Sequence, residues 1–379
     1  MALFEGQRIL VISPQPWTHI HLSKHNYAIE LARRGNKVLF LDPPDDSREA
    51  ISVDEVPEYR GLKVIRYRSA APLPLRFHAR RVFDFIQRRQ VEKMKQLMGP
   101  IDVVWCFDFN AFSDLSVFDS GVRIFHPVDP VTEQSHIDVA RTADIIISVS
   151  EEILSSFKGV GIPAFVIDHG LAKAFADRSS VSTVRKDGPL RIGYSGNLAR
   201  TPLNRAVLME AVSLNHGAEF HFFGPTEVLS NLPDQVKNEI DAFVGFLNRA
   251  PNVTLHGNVS SEELADALND MDCFILSYVK NLRESDLSNS HKILEYLSTG
   301  KVVVSSHIGR YRGRSDLVRM ATVGDDASIP ELLSDTLSRL DEFNSVEIQQ
   351  NRRAFALDRT YDRQVDRIRD LILSERSRQ

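Results

Sequence analysis

RILVISPQPWTHIHLSKHNYAIELARRGNKVLFL, residues 8–41, reads in turn as strand, loop, helix and strand. The apolar run Arg8 to Ser13 is short and is broken by Pro14 and Pro16, the helical stretch Ser23 to Arg34 closes at Gly35, and Lys37 to Leu41 ends at Asp42-Pro43-Pro44. Two such strands joined through a helix make a β-α-β unit with a right-handed crossover, the opening of a doubly wound sheet.

The same logic runs outward. Apolar runs at Val64 to Tyr67, Asp102 to Phe107, Val122 to Phe125, Ile145 to Val149 and Ala164 to Ile167 alternate with helical or loop segments, so the first half is expected to be one parallel sheet with helices on both faces. A charged, turn-rich stretch at Asp177 to Gly188 reads as a linker. Strands are then expected at Leu190 to Ser195, Glu219 to Phe223, Val253 to His256, Cys273 to Ser277 and Lys301 to Ser305, forming a second Rossmann-like domain. From Asn351 onward, Val365, Ile368, Leu371 and Ile372 recur at helical spacing in an amphipathic closing helix. The expected organisation is therefore an α/β chain with an N-terminal domain at 1–180, completed by the C-terminal helix 355–379, and a C-terminal domain at 186–354. Doubly wound sheets bind ligands at the carboxyl ends of their strands, so the active site is expected in the cleft between the domains.

The length of 379 residues fits two such domains, and 42% hydrophobic with 26% charged residues is the balance of a chain that buries a core. A formal charge of -5 excludes the global basic footprint of a nucleic-acid binder. Cys106 and Cys273 sit in apolar runs without zinc spacing, which suits a reducing cytoplasm, and no apolar stretch of about 18 residues is present to span a bilayer.

The chemistry concentrates at Ser288-Asn289-Ser290-His291-Lys292-Ile293-Leu294-Glu295, followed by Gly300 and the run Val302 to Val304. Ser288, Asn289 and Ser290 are N-cap types ahead of an apolar-periodic helix, whose free N–H groups and positive end receive a diphosphate well. Glu295 falls one turn deeper, where a carboxylate can accept hydrogen bonds from both hydroxyls of a ribose. Gly300 ends the helix in a left-handed conformation. The plain structural alternative is a solvated Lys292–Glu295 pair on an ordinary helix. A second cluster, Gly193-Tyr194-Ser195-Gly196-Asn197-Leu198, is a strand entering a glycine turn, with Arg200 and Arg205 as the cations that follow.

The 288–304 segment resembles the donor motif of retaining GT-B glycosyltransferases of group 1 (family 4-like), and is closest to the teichuronic-acid type. The match is carried by Lys292, Glu295, Gly300 and the valine strand; the glutamate that many relatives carry eight residues before Glu295 is Leu287 here, with Asp286 or Glu284 beside it as substitutes. The resemblance implies a GT-B fold and transfer of a sugar, with retention and without a metal or other cofactor, from a nucleoside diphosphate sugar to a saccharide or lipid-linked saccharide in cell-surface polysaccharide assembly. It implies donor contacts from Gly196, Asn197, Arg200 or Arg205, His256, Asp286, Ser288, Asn289, Ser290, His291, Lys292 and Glu295. Asn197 stands where relatives carry arginine. Asp270-Met271-Asp272 is read as a helix end entering a strand and not as a metal motif. Two rival functions are a nucleotide-sugar epimerase of the same fold and a binding subunit that has lost turnover.

In the first domain, Trp17, Thr18, His19, His21 and His25 crowd the loop after the first strand. Imidazoles titrate near neutrality and tryptophan stacks on sugar faces, so Trp17, Thr18 and His25 are acceptor-binding candidates, and His19 and His21 are proton-handling ones. His21 and His25 lack a further metal ligand. The resemblance adds His126 and Asp129 in Phe125-His126-Pro127-Val128-Asp129 as a catalytic-side pair, and matches His169-Gly170 to the family's Asn-Gly turn. Leu75 to Gln96 is basic and amphipathic, the pattern of a helix resting on an anionic membrane surface or of a solvated helix face. The expected setting is cytoplasmic, with peripheral contact at the inner face of the plasma membrane through 75–96.

Overall fold

In the computed structural model, which describes residues 3–72, 75, 78–129, 134–179, 188–228, 232–279 and 290–378, the opening stretch forms β1 (Arg8–Ile12), α1 (Ser23–Arg33) and β2 (Lys37–Leu41). Gly35 ends α1 with φ of +81°, a conformation that costs glycine little and other residues more. The chain divides into two compact units, Met1–Gly170 with Tyr361–Gln379, and Leu171–Thr360. The crossings thus fall at 170/171 and 360/361, whereas the sequence pattern put them at 180–186 and 354/355; residues 180–187 of the expected linker lie outside the described residues.

The first unit continues with β3 (Ser52–Glu55), β4 (Leu62–Arg66), α2 (Arg80–Met98), β5 (Val103–Cys106), β6 (Val122–Phe125), α3 (Gln134–Arg141), β7 (Ile145–Ser148), α4 (Glu151–Ser155) and β8 (Ala164–Val166). The strand order is β3-β4-β2-β1-β5-β6-β7-β8. Pairing is parallel except that β3 runs antiparallel to β4, a correction to the wholly parallel expectation. The sequence SVDE of β3 is largely exposed and carries no apolar run, because an edge strand buries little. The central strands are buried throughout, as β5 and β7 illustrate, since helices cover both faces.

The second unit contains α5 (Lys173–Arg178), β9 (Arg191–Ser195), α6 (Arg205–Leu214), β10 (Glu219–Phe223), α7 (Asp234–Arg249), β11 (Val253–Gly257), α8 (Ser261–Asn269), β12 (Cys273–Leu276), α9 (His291–Ser298), β13 (Val302–Ser305), β14 (Val318–Met320), α10 (Ile329–Ser338), α11 (Leu340–Phe343) and α12 (Val346–Leu357). Its strands are all parallel in the order β11-β10-β9-β12-β13-β14. The three-residue β14, with Arg319 at its centre, is too short to show as a periodic run.

The expected closing helix is broken after Leu357, and α13 (Tyr361–Arg376) belongs to the first unit. Val365, Ile368 and Ile372 are its buried face. Arg34 at the end of α1 donates to Asp366 at 2.7 Å and also pairs with Asp362. Gly170 is required by close approach: a β-carbon there would run into the Tyr361 ring.

Candidate functional site

The carboxyl ends of β9, β10 and β11 meet through glycines. The Gly196 N–H donates to the Phe223 carbonyl at 2.7 Å, and the Gly224 N–H to the Gly257 carbonyl at 2.7 Å. A β-carbon at Gly224 would overlap the Gly196 carbonyl oxygen. Gly196 itself has φ of +138°, and the space its side chain would need is occupied by the end of Lys292.

Helix α9 brings Lys292 there for identifiable reasons. The Tyr296 hydroxyl accepts the Ser195 N–H at 2.8 Å and lies 3.1 Å from Ser195 Oγ, while its ring stacks on Phe274 at 4.3 Å. These contacts fix the helix against the end of β9. Lys292 is 7% exposed, and its Nζ lies 5.4 Å from the centre of the Tyr194 ring and 6.0 Å from that of Tyr278. Burial opposes the Lys292 charge, but the phenols of Tyr194 and Tyr278 and the Glu295 carboxylate outweigh it and hold the ammonium above its ordinary pKa. Burial likewise opposes ionisation of Tyr278, yet Lys292, a hydrogen bond with the Ser290 side chain and Arg200 bring it below the ordinary tyrosine value.

Ser290 stands at the N-cap in extended backbone, but its side chain makes no capping bond. The Tyr278 phenol engages it instead, and the Ile293 N–H of the first turn donates to the Ser290 carbonyl at 3.1 Å. Glu295 lies one turn deeper with its side chain 18% exposed, 4.0 Å from the 40%-exposed His291 ring. Among the described residues no hydrogen bond reaches its carboxyl group, and burial, only partly offset by Lys292, raises its pKa to about 7. Gly300 follows the helix with φ of +81°.

The neighbouring candidates divide by role. The exposed Asn197 folds its side chain back to accept the Ala199 N–H at 2.8 Å. Arg205 is buried and donates to the Arg200 carbonyl at 2.8 Å and the Leu198 carbonyl at 3.5 Å, so its guanidinium braces the turn from within. Arg200 is exposed, and its charge acts on Lys292, Tyr194 and Tyr278. His256 is the extra residue where the β10–β11 register shifts, stacks on Phe223 at 4.2 Å and hydrogen-bonds to His221 at 3.0 Å. Asp272 accepts the Arg191 N–H at 2.9 Å, the structural part expected of it. Asp286, Ser288 and Asn289, with Glu284 and Leu287, lie outside the described residues.

In the first unit, Trp17 is half-buried and ringed by His21 at 5.0 Å, His25 at 5.6 Å and Phe40 at 5.0 Å. Thr18, His19 and His21 are exposed on the same loop. His25 is fully buried, with Nε2 on the Pro16 carbonyl at 3.1 Å and Nδ1 on the Leu22 N–H at 3.1 Å, so it pins the loop. Burial lowers its pKa to about 3. His126 is 1% exposed, packed on Phe107 at 4.7 Å, and accepts the Trp105 indole N–H at 3.2 Å. Burial brings it too to about 3, so at neutral pH its imidazole is uncharged. Asp129 is exposed. Lys24, which sequence reasoning did not single out, is 2% exposed in the first turn of α1, and burial lowers its pKa to about 8 against the opposing pull of Asp129 and Asp108. Its signal was faint: one lysine among the polar residues at a helix start.

With this geometry in place, comparison with known proteins is informative. Residues 189–339 match the family model described as glycosyl transferases group 1. A search of curated proteins finds no match. Solved structures similar to the chain include sucrose-phosphate synthase from Thermosynechococcus elongatus, at 13% identity and TM-score 0.70 over 98% of this chain and 100% of that one. OtsA in its apo form follows at 12% identity and TM-score 0.67, covering 96% and 99%. Anabaena HepE, solved in complex with UDP-glucose, has 16% identity and TM-score 0.67, covering 98% and 100%. The fold is GT-B, built from two Rossmann-like domains. With a group 1 glycosyltransferase domain at 189–339, the class is a glycosyltransferase enzyme.

Proposed function

We propose that the protein transfers a sugar from a nucleoside diphosphate sugar to a saccharide or lipid-linked saccharide, with retention and without a metal, in cell-surface polysaccharide assembly of the teichuronic-acid type. The observation that carries this reading is the buried Lys292 ammonium lying on the Gly196 turn, at the start of α9 and one turn above Glu295. In the reaction the bond from the sugar's anomeric carbon to the diphosphate oxygen breaks, an acceptor oxygen bonds that carbon, and the acceptor proton passes to the departing diphosphate. Lys292, Arg200 and the helix end stabilise the charge that develops on the diphosphate. Glu295 accepts the ribose hydroxyls, to which its carboxyl group offers acceptor oxygens. HepE, a protein of like fold, was solved with UDP-glucose, which favours a nucleotide-sugar donor here.

A lipid-linked acceptor and a cytoplasmic, membrane-peripheral setting draw support from α2. Arg80, Arg88 and Lys95 are paired with Asp84, Asp114 and Asp119, but Arg81, Arg89 and Lys93 are exposed beside the exposed apolar residues Val82, Phe85 and Leu97. Among the described residues no helix is long and apolar enough to cross a membrane.

The test is a melting-temperature titration with UDP, GDP, ADP, CDP and dTDP, because a ligand of the native state stabilises it by mass action. At least one should raise the midpoint in the wild type and fail to do so in Lys292→Met and Glu295→Ala. Indifference to all five would overturn the reading; consumption of donor sugar without any acceptor would favour an epimerase.

A further inference from the structure

From β9 the chain of the second unit runs outward to β10 and β11, then returns to β12 beside β9 and continues to β13 and β14. Three segments distant in the chain meet at Tyr278, which stands two residues beyond β12. Its N–H donates to Ser306 Oγ, just past β13, at 3.0 Å. Its backbone also forms an antiparallel bridge with Leu203, flanked by the Val279 N–H on the Pro202 carbonyl at 2.8 Å and the Asn204 N–H on the Ser277 carbonyl at 3.1 Å. The loop held in this way follows Gly196 and carries Arg200. The side chain, 8% exposed, reaches the start of α9, where the ring centre lies 6.0 Å from Lys292 Nζ and the phenol engages the Ser290 side chain.

Tyr194 completes the surroundings of the ammonium. A β-carbon at Gly196 would lie 3.3 Å from the Tyr194 hydroxyl and 2.5 Å from Lys292 Cε, so phenol and lysine share the space above that glycine. A lysine side chain carries about 2 kcal/mol of rotamer entropy, which a ligand must remove on binding unless the protein has already done so. Lys292 is fixed in advance because it packs between glycine turn and tyrosine rings. Of the two tyrosines, Tyr278 alone is also joined through its backbone to the Arg200 loop.

We infer that Tyr278 is a positioning residue: its hydroxyl holds Lys292 and its backbone holds the Arg200 loop, together setting the arrangement that receives the sugar-bearing phosphate of a nucleoside diphosphate. The inference rests on the glycosyl-transfer reading for the identity of that ligand. Tyr278 acts through Lys292 and not by touching the ligand. A nucleoside monophosphate lacks the second phosphate, so its binding is independent of the Tyr278 hydroxyl, which makes that hydroxyl a source of preference for diphosphates.

Equilibrium titrations of the full chain test this, by calorimetry with UDP, GDP, ADP, CDP and dTDP and by saturation-transfer NMR with the matching monophosphates. For the base that binds, Tyr278→Phe should raise the diphosphate Kd about tenfold and change the monophosphate Kd by less than about twofold. Phenylalanine keeps the buried ring, and the backbone bonds to Ser306 and Pro202 do not involve the hydroxyl, so this variant retains the fold. Ser290→Ala removes the partner of the phenol and should act in the same direction. The double variant should lose little more than the weaker of the two single variants, because the two groups share one hydrogen bond. Parallel loss of monophosphate and diphosphate binding, fully additive losses in the double variant, or an unchanged diphosphate Kd in Tyr278→Phe each overturns this inference and leaves the donor site standing. A wild type that binds no nucleotide overturns both.

Discussion

Lys292 fills the volume that a side chain at Gly196 would require: a β-carbon placed there would lie 2.5 Å from Lys292 Cε and closer still to Nζ. The absent side chain in the glycine turn is thus what allows a buried cation to rest on the end of β9.

Gly196→Ala consequently has two separable effects. The φ of +138° is strained for alanine, which should lower stability by about 1 to 3 kcal/mol. The displaced Lys292 should also weaken nucleoside diphosphate binding by about tenfold or more at temperatures where the variant remains folded. Calorimetric titration below the melting transition checks this, and unchanged affinity would refute the role given to the contact.

Glu295 should make the protein less stable as pH rises. Its folded pKa is raised from 4.5 to about 7, so the folded state holds the proton more tightly than the unfolded one across that window. The resulting destabilisation grows from the lower value to the upper and then levels off. Glu295→Gln, which stays neutral, should exceed the wild type in stability by on the order of 2 kcal/mol near pH 8 and lose that advantage towards about pH 4.5. Urea melts at several pH values measure it.

His126 acts in the opposite direction. Its folded pKa of about 3 lies below the ordinary 6.5, so the unfolded state takes up the proton first and stability is lost as pH falls from 6.5 towards 3. His126→Phe should therefore lose about 2 kcal/mol less than the wild type between about pH 7 and pH 5. A matching pH–stability slope in the two proteins would mean that the imidazole already titrates in the folded state.

Phe85 is 56% exposed on α2 with the Arg89 guanidinium 4.6 Å from its ring centre. If this face rests on anionic lipid, Phe85→Glu should reduce co-sedimentation with phosphatidylglycerol vesicles by about tenfold or more, with phosphatidylcholine vesicles as the control. Equal sedimentation of variant and wild type would remove α2 from the membrane.

Much of the fold was legible because buried parallel strands read as unbroken apolar runs: Lys37–Leu41, Val122–Phe125 and Glu219–Phe223 are strands at the expected bounds. The elements that escaped, β3 and β14, are edge strands of four and three residues that bury too little to leave a pattern. In α9 the spacing from Lys292 to Glu295 and the stop at Gly300 could be read along one helix, since neighbours in sequence are neighbours in space there. Tyr278 and Tyr296 could not, for they act by reaching residues far off in the chain, as Tyr296 does at Ser195.

By itself the sequence determined the doubly wound alternation of strands and helices and the helix that carries Lys292 and Glu295, because periodicity, caps and glycine stops are local properties. Only the tertiary structure decided which charged and aromatic groups are buried and which are exposed. It turned Arg205 inward to brace a turn and buried His126, His25 and Lys24. The reason is that burial and the company a group keeps, which set its charge and its unmet hydrogen bonds, depend on segments distant in the chain.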